Sequence, residues 1–141
     1  MNNRTSENSP RTSRFFNILS ALFAFLIWGC WAFFVNVSID VTKGLISGFT
    51  QGIASFIITL VMVHLVTWFF NHLPGNFLQL LLAAFFTVSI TGSFLVGIHF
   101  LVDTPKILYT ITPALSVAFA FCWYTAYKLR KSSTRRGSHN E

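Results

Sequence analysis

Apolar residues run along this chain in four long stretches, at 15–35, 46–70, 77–101 and 107–127, separated by short polar breaks. Each stretch reaches the roughly 20 residues that a helix needs to cross the hydrocarbon of a bilayer. Nothing in hydrocarbon can satisfy a bare backbone, so stretches of this kind are read as helices. The breaks are equally legible. Asn36 to Gly44 forms a polar turn, and Asn71-His72-Leu73-Pro74-Gly75-Asn76 is a Pro-Gly stop. Asp103-Thr104-Pro105-Lys106 ends the third stretch, with Pro105 suited to the first turn of the helix that follows. Loops this short predict that successive helices run antiparallel and pack as neighbours. The expected architecture is an all-α integral membrane protein, four transmembrane helices in an antiparallel bundle over residues 14–128. The polar segments 1–13 and 129–141 are expected to be disordered tails.

Charge sharpens this picture. Only 10% of the 141 residues are charged, against about 25% in a soluble domain. Between Phe15 and Tyr127 the charged side chains are Asp40, Lys43, Asp103 and Lys106 alone. The net charge of +6 is concentrated outside the spans: Arg4, Arg11 and Arg14 precede them, and Lys128, Arg130, Lys131, Arg135 and Arg136 follow. Basic residues accumulate on the cytoplasmic side of membrane spans. With four spans both tails share a side, so both termini are expected in the cytoplasm. Trp68, Trp123, Tyr124 and Tyr127 then fall near the cytoplasmic interface, Trp31 and Tyr109 near the other. Nucleic-acid binding, which needs a basic face with base-reading groups, is not expected. Contact of the C-terminal basic cluster with anionic lipid headgroups is, at about 1 kcal/mol per residue near the surface.

Several processing signals are weak. The apolar run after Arg11 and Arg14 exceeds a signal-peptide core and lacks a small-x-small cleavage site, so the first span reads as an uncleaved anchor. Ile27-Trp28-Gly29-Cys30 resembles a lipoprotein cleavage site only loosely, because Trp28 is too large for its place. Cys30 and Cys122 lie inside apolar runs and say nothing about redox compartment. The sequons at Asn3 and Asn36 are expected to stay unused, the first in the cytoplasm and the second against the membrane.

Shifting the chain by 63 positions aligns Asp40 with Asp103, Lys43 with Lys106, Leu45 with Leu108 and Phe56 with Phe119, and sets Asn36 opposite His99. Duplication of a two-helix hairpin accounts for this, and so does chance in a biased composition. Each Asp-x-x-Lys is expected to form a local ion pair at a helix start, where the carboxylate complements the positive helix end.

Polar groups inside hydrocarbon are the strongest functional pointers in such a chain. His64 is the sole titratable basic group well inside a span, roughly 9 Å from the midpoint of the second. Asn17, Ser20, Cys122, Tyr124 and Thr125 stand at similar depth. A second polar layer near the outer face draws on Asn36, Ser47, Thr50, Gln51, Ser93, His99, Thr110 and Thr112. Gln51, His64, Ser93 and Thr112 together form the candidate intramembrane polar site. Pro113 frees a backbone carbonyl one turn earlier, near Tyr109. No acidic residue lies in the first span, which disfavours small multidrug exporters that rely on a glutamate there.

Small residues recur at spacing four: Gly48 and Gly52; Ser89, Ser93 and Gly97; Ala114, Ala118 and Cys122. Such stripes let helix backbones approach and drive association by packing.

No nucleophile elbow, phosphate-cradling loop, carboxylate pair or clustered histidine set is present, so neither catalysis nor a cofactor or metal is expected. The favoured expectation is a non-catalytic accessory or scaffold subunit of the bacterial inner membrane, embedded in the lipid bilayer and packing against a larger membrane protein or against itself as a homo-oligomer. The alternative is a small oligomeric transporter, channel or lipid flippase whose path is lined by Gln51, His64 and Ser/Thr residues. Convergence of the polar set on one cavity favours the second; dispersal favours the first.

Overall fold

The structure, a computed structural model, describes residues 10–75 and 77–137. Four helices account for nearly all of it: α1 (Pro10–Val37), α2 (Val41–His72), α3 (Phe77–Leu101) and α4 (Ile107–Gly137). Each contains a segment long and apolar enough to cross a membrane. The protein is therefore an all-α, multi-pass membrane protein. Exposed Phe, Leu, Ile and Trp side chains run along every helix, Phe100 and Leu101 at 75% and 83% exposure among them. Buried polar groups accompany them, including Asn36, Gln51 and His99. This inverts the pattern of a water-soluble domain.

α1, α2 and α4 outrun their apolar stretches, and α3 coincides with its own. α1 begins at Pro10, a residue whose fixed φ and missing N–H suit a first helical position. α4 continues to Gly137 through Lys128, Leu129, Arg130 and Lys131, of which Leu, Lys and Arg are good helix formers. Parts of both segments expected as disordered tails are thus helical; residues 1–9 and 138–141 lie outside the described residues. α2 starts at Val41 because Asp40 caps it, its carboxylate accepting from the Lys43 backbone N–H at 2.9 Å. At its other end Gln79, one turn into α3, donates to the Phe70 and Leu73 carbonyls at 2.6 and 3.2 Å. Those carbonyls belong to the last turn of α2 and its cap, which have no partner within their own helix.

Of the helix pairs that touch, α1 and α2 make the most extensive contact, and α1 and α4 the least. Glycine explains the first. A Cβ on Gly48 would lie 3.0 Å from the Gly29 carbonyl oxygen, and one on Gly44 would lie 2.9 Å from the Val37 Cα. The backbones are already in van der Waals contact there. Gly52 meets the Phe25 ring in the same seam. Two apolar cores fill the remaining interior. One gathers Val66, Ala83, Ala84, Cys122 and Ala126. The other joins Ala54, Leu95 and Ile111.

Candidate functional site

The α1–α2 and α3–α4 turns meet, and most of the buried polar groups collect beneath them, Gln79, Thr87 and Thr91 excepted. Asn36, at the end of α1, is fully buried. Its side-chain amide donates to the Ala32 carbonyl and to Thr110 Oγ1, both at 2.9 Å. Its Oδ1 accepts from the Lys106 backbone N–H at 3.0 Å. An N–H at a helix start has no partner within its own helix, so a residue of α1 supplies the cap for α4.

His99, at the end of α3, holds the other half. Its Nε2 donates to Gln51 Oε1 at 2.7 Å, and its Nδ1 accepts from Thr104 Oγ1 at 2.8 Å. Ser47 donates to Thr104 Oγ1 at 3.2 Å, and Gln51 Nε2 donates to Ser55 Oγ at 3.3 Å. The amide oxygen of Gln51 only accepts, which assigns the Nε2–H tautomer to His99. The five side chains then form one directed series, Ser47 to Thr104 to His99 to Gln51 to Ser55. It runs from beneath the turns toward the middle of α2. Among the described residues no buried side-chain nitrogen or oxygen lacks a partner, as a low-dielectric interior requires.

Above this layer the charged residues of the two turns cross over. Lys43 Nζ donates to Asp103 Oδ2 at 2.6 Å and to the Asp103 carbonyl at 3.2 Å. Lys106 Nζ reaches Ser38 Oγ at 3.3 Å. The local ion pairs expected at Asp40/Lys43 and Asp103/Lys106 are replaced by links between the turns. The reason is geometric: Asp40 spends its carboxylate on its own cap, and Asp103 sits in the left-handed region at φ 54°. The Lys43 ammonium, by hydrogen bond and charge, holds the Asp103 carboxyl below the usual carboxylate range.

A further link ties α1 to α4. Pro113 has no N–H, so the Tyr109 carbonyl four residues back has no donor inside α4. The Trp31 indole N–H supplies one at 3.1 Å.

The candidate set divides. Gln51 is buried at the centre of the cluster, whereas His64, Ser93 and Thr112 are exposed on the outer faces of their helices. Ser93 donates to the Ser89 carbonyl at 2.8 Å, and Thr112 to the Leu108 carbonyl at 2.6 Å, each within its own helix. No polar layer forms around His64: Asn17, Ser20 and Tyr124 are exposed, and Cys122 is buried in an apolar core. Of the outer layer, Asn36, Ser47, Gln51, His99 and Thr110 are buried, and Thr50 is half-buried. Thr104 and Trp31, absent from the expected set, complete the network. A turn threonine and an interfacial tryptophan carry no intramembrane signal, though Pro113 announced the carbonyl that Trp31 satisfies.

The small-residue stripes also divide. Gly48 and Gly52 serve the α1–α2 seam. Ala114 and Cys122 are buried and Ala118 is half-buried. Ser89, Ser93 and Gly97 face outward on α3, and nothing lies within 4 Å of a Cβ placed on Gly97.

Among the described residues no three His, Cys, Asp or Glu side chains gather as a metal site. The cluster is an arrangement of neutral hydrogen-bonding groups, suited to fixing helix register and to orienting protons along a line. Comparison with known protein families, characterised proteins and solved structures gives no match.

Proposed function

We propose that this protein is a non-catalytic accessory or scaffold subunit that packs against a membrane partner or against itself. One observation carries the reading. The polar set disperses: Gln51 is locked into a satisfied cluster at the turn end, while His64, Ser93 and Thr112 lie on separate outer faces. A path for a polar solute needs polar groups that converge along its length. The outward Ser89, Ser93 and Gly97 stripe of α3 supports association, since small residues permit close helix approach.

The proposed setting is a bacterial inner membrane, with the four helices antiparallel and both tails in the cytoplasm. The eight basic residues of the tails support this orientation, set against Lys43 and Lys106 in the opposite turns. A terminal reporter read outside the cell at either end would reject it.

A second reading, a small transporter, channel or flippase, has its own support in the directed series from Ser47 to Ser55. Extraction into lipid nanodiscs followed by mass spectrometry of intact complexes separates the two. A second membrane protein in fixed stoichiometry, or a homo-oligomer without retained small molecules, supports the subunit reading. A homo-oligomer that retains a small molecule supports transport.

A further inference from the structure

Because α1 and α4 are tied chiefly near the turns, a cleft remains between them farther down. Its volume is about 340 Å³, and all four helices line it. Ala24 and Trp28 of α1, Met62 of α2, Leu95 of α3, and Ala118 and Phe121 of α4 are among its lining residues. Three of the hydroxyls that line it have partners inside the bundle. Thr59 donates to the Ser55 carbonyl at 2.7 Å, Thr91 to the Thr87 carbonyl at 3.0 Å, and Ser55 Oγ accepts from Gln51.

The walls decide what fills such a space. A dry void forfeits the dispersion contacts of its lining. Water would find few of the two to four polar partners that it needs. Hydrocarbon remains, and shape selects its form. From Trp28 to Ser20 the cleft follows α1 for roughly 12 Å. An apolar groove of that length, running along the helices, takes an extended aliphatic chain.

Charge selects the headgroup. The two helices that flank the cleft carry the basic residues of this end, Arg11 and Arg14 in the first turns of α1 and Lys128, Arg130, Lys131, Arg135 and Arg136 in the last turns of α4. Lys128 and Lys131 are exposed. Lys128 lies roughly 10 Å beyond Phe121, at the lower end of the cleft. A chain rising into the cleft would place its phosphate at that level.

We propose that the cleft between α1 and α4 is a lipid-binding site that takes one acyl chain of an anionic phospholipid, with the headgroup phosphate at the level of Lys128 and Lys131 of α4. The site is independent of the α3 face offered for association.

The test is photolabelling of the full-length protein in phosphatidylcholine vesicles. These contain a minor fraction of either phosphatidylglycerol or phosphatidylcholine bearing an acyl-chain diazirine, and adducts are mapped by mass spectrometry. Phosphatidylglycerol adducts should concentrate on cleft residues such as Phe23, Trp28 and Phe121. Their excess over phosphatidylcholine should be about fivefold for each basic residue engaged. Ala118→Phe, which fills the cleft, should abolish these adducts while leaving those on the outer face of α3. Lys128→Gln with Lys131→Gln should reduce the headgroup preference without filling the cleft, which keeps the test valid if Ala118→Phe folds poorly. Equal cleft labelling by the two lipids, or labelling no denser there than on the outer face of α3, would overturn the proposal.

Discussion

Gln51 of α2 and His99 of α3 share a 2.7 Å hydrogen bond with both side chains fully buried. Two magnitudes bear on its weight. A hydrogen bond between membrane helices contributes about 0.6 kcal/mol on average, whereas a buried polar group left without a partner costs about 1–3 kcal/mol. Gln51→Leu should therefore destabilise the bundle by about 1–3 kcal/mol, chiefly by orphaning the His99 Nε2–H. His99→Phe should do the same through Gln51 and Thr104. The double variant should lose clearly less than the sum of the two. Reversible unfolding in mixed detergent micelles measures all four corners of this cycle, and strict additivity would contradict the coupling.

Trp31 and Pro113 form a second testable pair. Trp31→Phe leaves the Tyr109 carbonyl without a donor and should cost about 1 kcal/mol. Pro113→Ala restores an N–H that can reach the same carbonyl within α4. In a Pro113→Ala background, Trp31→Phe should therefore cost close to nothing. An equal loss in both backgrounds would show that the indole acts by packing alone.

Glycines on two different helices should behave oppositely. A Cβ on Gly48 meets Gly29 backbone at 3.0 Å and the Phe33 Cβ at 3.1 Å, while one on Gly97 meets nothing within 4 Å. Gly48→Leu should destabilise by about 1–3 kcal/mol through overpacking. Gly97→Leu should leave the stability of the isolated chain within about 0.5 kcal/mol, yet weaken any complex formed through α3. Thermal unfolding reads the first effect, and intact-complex mass spectrometry the second.

The Lys43–Asp103 link gives the turns a pH dependence of known sign. The folded-state pKa of Asp103 is depressed by the Lys43 hydrogen bond and charge. Its contribution is thus present above the unfolded pKa, about 3.9, and is lost as pH falls through the lower folded value. The carboxylate is exposed, so the effect should be small and weaken with added salt. Asp103→Asn should remove that part of the acid limb in stability-versus-pH curves and change nothing near neutrality beyond a constant offset. An unchanged acid limb would assign it to other groups.

Much of the helical layout was legible because hydrocarbon leaves the backbone few choices. The Pro74-Gly75 stop, the Asp40 cap and the scarcity of charge each act locally. The site was less legible because depth can be counted along a helix, whereas the direction a side chain faces depends on its neighbours. His64 is the more deeply placed histidine by count, yet α2 turns it outward; His99, near a helix end, is the one enclosed. α3 is apolar almost all round, so periodicity marks no inner face for Ser93 or His99. The 63-residue shift held a usable hint. It equates Asn36 with His99 and Ser47 with Thr110, and the structure pairs them crosswise: Asn36 bonds Thr110, and His99 connects to Ser47 through Thr104. Each hairpin thus closes on the other with corresponding residues.

The Asn36–Thr110 and Trp31–Tyr109 bonds fasten α1 to α4 at one end of their length, which makes the pair a lever. From Thr110 to Phe121 the arm below the fastening measures about 16 Å, so a tilt of about 10° at the fastened end corresponds to about 3 Å at its far end, opposed there by the packing of α4 on α2 and α3. The molecule resembles tongs, gripped where its polar bonds are dense and compliant where only methyl and aromatic groups meet.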